Sequence, residues 1–118
     1  MGILNARPRL DDGEHLRWQS LANRVIGANV TAGGRLVVTD RRVFFQPNRI
    51  DKSLGRELWQ CPPEAVTGIG TVGRDGRIFA GGTRRRLGIH TAGGEEVFVV
   101  NRLRKKEAQL RELLLGSR

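Results

Sequence analysis

Chemistry in this chain would have to come from a short set of groups: the Cys61 thiol, the His15 and His90 imidazoles, a glycine series starting at Gly68, and a large excess of arginine. A cysteine beside a histidine can act as nucleophile and base, because an imidazole within hydrogen-bond reach takes the thiol proton. Here His90 falls in a strand-like run and Cys61 stands directly before Pro62 and Pro63, with no spacing that specifies an active site. The expected assignment is a buried thiol and two ordinary surface imidazoles, with no enzymatic activity. One cysteine and two separated histidines make no metal-ligand pattern either, so no metal and no cofactor is expected. Gly68-Ile69-Gly70-Thr71-Val72-Gly73 spells G-x-G-x-x-G, but a dinucleotide site needs its third glycine at a helix start, and Arg74-Asp75-Gly76 reads as a loop. These glycines are expected instead to relieve crowding where one sheet bends toward another.

The arginines remain. Net charge is +9, the sequence pI is about 11.5, and three of the 21 basic residues are lysine, the rest arginine. Such an excess attracts polyanions, nucleic acid and anionic lipid alike, and is silent about fold. GC-rich coding would produce the same bias, so a merely solvated charged face stays open as an alternative. The 118 residues, 38% hydrophobic and with 16 glycines, suit one small, turn-rich domain. A lone cysteine excludes an internal disulfide framework, and no apolar run approaches the roughly 20 residues of a spanning helix. The cytoplasm is the expected compartment, with peripheral attachment to a membrane as a variant. Residues 1–12 are expected as a mobile leader and 13–116 as a single domain.

Positioning elements follow from periodicity. Residues 33–48, GGRLVVTDRRVFFQPN, place two β-branched and aromatic runs around a polar turn and so predict an antiparallel hairpin. Leu36 and Val38 share one face of the first strand, Val43 and Phe45 one face of the second, and Asp40 accepts bonds from the turn amides. Upstream, two patterns conflict. Trp18, Leu21, Ala22, Val25 and Ile26 have helical spacing behind a capping-box pair, Asp11 and Glu14, while residues 16–21 also alternate as a strand would. Downstream, short strands are expected at 57–60 and 65–72, and a second hairpin joins 86–90 to 95–100. A helix over 103–115 follows, with Asn101 as cap, Gly116 as stop, and Leu103, Leu110, Leu113 and Leu114 as an apolar stripe. Its first turn carries Arg102, Arg104, Lys105 and Lys106, the wrong sign for the positive end of a helix dipole.

Leu21-Ala22-Asn23, then GGRLVVTDRRVFFQPNRID from Gly33, the strand-like run at 67–72 and EEVFVVNRLRKKEAQL from Glu95 together resemble the GRAM domain, of the pleckstrin-homology-like superfold. The most specific part is Gly34, Leu36, Thr39, Asp40, Arg42 and Phe45, in the pattern G-x-L-x-x-T-[DN]-x-R-x-x-F. The resemblance implies a mainly β chain: a barrel of two near-orthogonal antiparallel sheets, about seven strands, plugged by one C-terminal α-helix. It also favours strand over helix at 16–22. The implied function is a binding module for phosphoinositides or other anionic lipids, for protein partners, or for copies of itself. The loop used for inositol phosphates in that superfold is here poor in base, with only Arg35 beside it, whereas the next loop but one holds Arg49, Lys52 and Arg56.

Because successive loops of an antiparallel sheet alternate ends, the remaining charge is expected at the plugged end. That set is Arg41, Arg42, Arg74, Arg77, Arg84, Arg85, Arg86, Arg104, Lys105 and Lys106, a face suited to an anionic membrane surface or an acidic protein partner. Nucleic acid is the rival ligand, opposed by the scarcity of aromatics and the absence of tyrosine, which leave little for base stacking. A third class is self-assembly into a homo-oligomer through strand edges, with Trp18 and Trp59 as anchors unless both belong to the core.

Overall fold

A computed structural model describes residues 7–27, 30–53, 55, 58–72 and 86–116. Seven antiparallel strands form one sheet: β1 (Leu16–Gly27), β2 (Val30–Thr39), β3 (Val43–Pro47), β4 (Trp59–Cys61), β5 (Val66–Val72), β6 (Arg86–Thr91) and β7 (Gly94–Val99). Two helices accompany them, the five-residue α1 (Arg49–Ser53) and the thirteen-residue α2 (Leu103–Leu115). The strand order is β4-β3-β2-β1-β7-β6-β5, so β4 and β5 are the edges and the sheet is not closed.

The early conflict resolves as strand. β1 pairs with β2 from Leu16 opposite Thr39 to Gly27 opposite Val30, satisfying backbone groups along its length. Ser20 and Ala22 point inward with half-buried Trp18, while Arg17, Gln19, Leu21 and Asn23 face out. The helical stripe is thereby split, leaving Leu21 and Ile26 52% and 49% exposed. Asp11 and Glu14 do exchange the bonds of a capping box, since Asp11 N–H donates to Glu14 Oε1 (2.9 Å) and Glu14 N–H to Asp11 O (3.0 Å). A strand follows instead of a helix, because β2 offers a partner for every second residue.

The first hairpin has the expected register, with Val38 opposite Val43 and Leu36 opposite Phe45, and these four side chains lie in the core. Gly34 lies opposite Pro47, and a Cβ there would come 2.2 Å from Gln46 O, so the backbone contact itself demands glycine. Gly68 and Gly70 relieve no such crowding: a Cβ would meet only His90 at 3.5 Å in the first case and nothing within 4 Å in the second. The tight position is their neighbour Gly88 on β6, where a Cβ would press on Val72 at 2.5 Å.

The sheet curls strongly. Trp59 on edge strand β4 and Phe98 on β7 have ring centroids 6.0 Å apart, and Phe45 lies 5.8 Å from Phe98. Four strand steps in a flat sheet would separate them by about 19 Å, at roughly 4.8 Å per step. The core therefore fills the concave side, where Leu36, Phe45, Leu87, Ile89 and Phe98 meet Leu110 and Leu114 of α2. Both tryptophans are half-buried against this core.

α2 packs on β5 and, less extensively, β6. Arg111 reaches Ile69 O on edge strand β5 at 2.6 Å, and Thr71 Oγ1 donates to Glu107. The leucine stripe is oriented as expected, with Leu110 and Leu114 buried and Leu103 and Leu113 half-buried. Its cap differs: Arg102 is the N-cap, in the left-handed region at φ 51°, with no side-chain cap bond, and Asn101 Oδ1 accepts from Lys106 Nζ instead. Of the expected leader, residues 7–12 lie along β3, where Arg9 N–H donates to Gln46 Oε1 (2.9 Å) and Gln46 Nε2 to Arg7 O (3.1 Å).

Candidate functional site

The turn between β2 and β3 ties the start of the domain to the hairpin. Thr39 Oγ1 accepts from the amides of Arg41 and Arg42 (both 3.1 Å) and donates to Glu14 Oε2 at 2.6 Å. Asp40, expected to bond the turn amides, instead accepts from His15 N–H at 2.8 Å, because the threonine hydroxyl has taken the turn. Arg42 grips Glu14 through Nε (2.9 Å) and a second nitrogen (3.1 Å), donates to Gln60 Oε1 and Arg9 O, and lies 4.1 Å over the Phe44 ring. Glu14 is fully enclosed at its side chain, and Arg42 keeps 19% exposure. The Arg42 hydrogen bond holds the Glu14 carboxyl at about 2, well below its ordinary 4.5, outweighing the upward push of burial, and the same bond raises Arg42. Arg42 is thus a structural cation whose charge is matched inside the protein.

A different situation holds where β7 leads into α2. Arg102, Arg104 and Lys105 are exposed, and with Thr71 and Leu103 they line a recess of about 450 Å³. No acid stands in the first turn of α2, and none of the three cations forms an ion pair with another described residue. Helix N-terminal amides add positive partial charge, so this end repels cations and favours anions. Lys106 is drawn inward, donating to Ser20 Oγ at 2.7 Å. Burial lowers its pKa first, and the charges of Arg102 and Lys105 lower it further.

The ten expected ligand-binding residues therefore divide. Arg104 and Lys105 come together; Arg86 is half-buried at the end of β6, opposite Val72. Arg41 is exposed at the β2–β3 turn, and Arg42 lines a separate cavity with Arg9 and Phe44. Lys106 serves the helix–sheet contact. Arg74, Arg77, Arg84 and Arg85 lie outside the described residues. Arg102 belongs with the recess as well: it is expected in the basic first turn of the helix, though not among the ten ligand-binding residues.

The reactive groups lie on separate elements. Cys61 is on edge strand β4, His90 on β6, and His15 precedes β1. Burial pushes the half-buried Cys61 thiol up, with Glu64 and Glu96 adding to the effect, which disfavours the nucleophilic thiolate. His90 faces Glu95 across the β6–β7 hairpin at 3.0 Å, with both side chains exposed. Among the described residues no group of acids, cysteines and histidines has the arrangement of a metal site, and no helix is long and apolar enough to cross a membrane.

No protein-family model and no curated protein matches this chain. In fold it is similar to the crystal structure of the C-terminal domain of an unknown protein from Leishmania infantum, with a TM-score of 0.55 at 15% identity over 83% of this chain and 80% of that one. The likeness concerns the fold alone.

Proposed function

We propose that this chain is a non-catalytic binding module of the GRAM and pleckstrin-homology-like type that docks on an anionic surface, an acidic phospholipid bilayer or an acidic protein partner, through the cations at the start of α2. The finer architecture belongs to the same reading: the curled sheet is two near-orthogonal halves of a barrel, hinged where β1 passes from β2 to β7. Supporting it are the strand order, the long β1 pairing with β7 only at Asn23 and Arg24, and the helix laid over β5.

One observation carries the functional part. Arg102, Arg104 and Lys105 gather at the positive end of α2 with no acid in its first turn and no ion pair to a described residue, a placement that opposes helix stability and so calls for a ligand to offset it. Each basic residue close to an anionic bilayer contributes about 1 kcal/mol, and salt weakens the attraction.

Co-sedimentation with phosphatidylcholine vesicles and with vesicles enriched in phosphatidylserine, at low and moderate salt, tests the lipid form. The chain is expected to pellet with the acidic vesicles at low salt and to be released as salt rises. Equal pelleting with both vesicle types would refute it, and tighter binding to a random DNA duplex under the same salt would transfer the cations to the nucleic-acid reading.

A further inference from the structure

On the convex face of the β3–β4 region, away from the start of α2, lies a second cavity of about 350 Å³, near the lower end of the roughly 300–1,000 Å³ range of small-molecule sites. Its apolar part is Leu58, 46% exposed, next to Phe44 and Pro47, which are themselves buried. Its charged part is Arg9 on the N-terminal segment and Arg49 and Lys52 on α1, none paired to an acid among the described residues. Arg42 also reaches this cavity, but Glu14 already holds it, and Asp11 is the one acid among the described lining residues. Even with both carboxylates set against the four cations, the described lining keeps a positive excess beside the exposed Leu58 side chain. A cavity of similar size beside Gly33 has asparagines and aliphatic groups on its walls and no ionisable group among its described lining residues, so of these two the β3–β4 cavity is the charged one.

From this pairing of unmatched cations with an exposed leucine, we infer that the cavity binds a small amphiphilic anion: one carboxylate or phosphate monoester head met by Arg9, Arg49 and Lys52, and one short alkyl or aryl body laid against Leu58. Arginine favours the head because its planar fork gives two parallel bonds to such oxygens. The apolar body covers Leu58, a leucine otherwise facing water. This site is separate from the docking cations of α2 and does not depend on them.

Octyl phosphate below its micelle concentration, inorganic phosphate and octanol are titrated separately into the full chain by calorimetry, with amide NMR shifts locating the site. Octyl phosphate is expected to bind one to one, shifting the amides of Phe44, Gln46 and Leu58, and to bind at least about tenfold tighter than either half alone, since each supplies only part of the contact. Arg49→Glu with Lys52→Glu should weaken it about tenfold or more by replacing attraction with repulsion. Leu58→Asn should weaken it about fivefold through lost apolar contact, and decides the matter if the charge reversal fails to melt cooperatively. Arg104→Glu with Lys105→Glu should leave octyl phosphate binding unchanged while abolishing binding to acidic vesicles, which separates the two proposals. The inference is overturned if inorganic phosphate or octanol binds as tightly as octyl phosphate, if folded charge-reversal or Leu58→Asn protein binds undiminished, or if the shifts fall on another face.

Discussion

Arg42 and Arg104 both stand at the boundary of a secondary-structure element, one leaving a hairpin turn and the other entering a helix, yet among the described residues only Arg42 of the two forms an ion pair. Glu14, 28 positions earlier in the chain, reaches it with both carboxylate oxygens and shares one of them with Thr39. Arg104 shares its helix start with Arg102 and Lys105 and no carboxylate. The count of 21 basic residues therefore overstates what is free to act on a partner, since some of them are paired with acids within the fold. What distinguishes the two arginines is the company each keeps across the chain.

The contrast breaks most severely at Glu14. Glu14→Ala leaves the Arg42 guanidinium over Phe44 without its carboxylate and removes the acceptor of the Thr39 hydroxyl, so urea unfolding is expected to show a loss of about 4 kcal/mol. A loss below about 1 kcal/mol would reduce the clamp to an ordinary surface ion pair.

Acid should undo the same contact by a smaller amount. The Glu14 pKa is about 2 in the folded chain against 4.5 ordinarily, so its contribution is fully present above 4.5 and disappears as pH falls toward 2. The depressed carboxyl is worth about 3 kcal/mol at neutral pH. Stability measured from pH 6 downward should fall through that window, and in Glu14→Gln the drop should shrink by a comparable amount. An unchanged acid profile in Glu14→Gln would locate the acid sensitivity elsewhere.

At the other region the same operation should be almost harmless to folding. Arg104→Glu with Lys105→Glu puts acids at the positive end of α2 and is expected to change stability by no more than about 0.5 kcal/mol, in the stabilising direction, while removing vesicle binding. Destabilisation of the size expected at Glu14 would erase the distinction between structural and free cations.

Much of the fold was legible because local patterns agreed with the tertiary answer. The Leu36, Val38, Val43 and Phe45 alternation, the glycine turn before Glu95 and the α2 leucine stripe each need only a period and a turn to be read. The opening strand was ambiguous for a physical reason: Trp18, Leu21 and Ala22 suit a helix, and only pairing with β2 makes period two the winning arrangement. The helix cap was misread because Asn101 is bonded by Lys106, a contact made as the chain turns from β7 into α2. The β3–β4 cavity had no sequence signal, since Arg9, Phe44, Lys52 and Leu58 follow no spacing and meet only when the N-terminal segment lies along β3.

By itself the sequence determined the strand-rich character, the two hairpins, the closing helix and the abundance of positive charge, all of which follow from neighbours within a few residues of one another. Tertiary structure decided which charges are spent inside the fold. Pairing a buried carboxylate with a guanidinium depends on distance in space, and the contacts of Glu14 with Thr39 and Arg42 span 25 and 28 residues of chain.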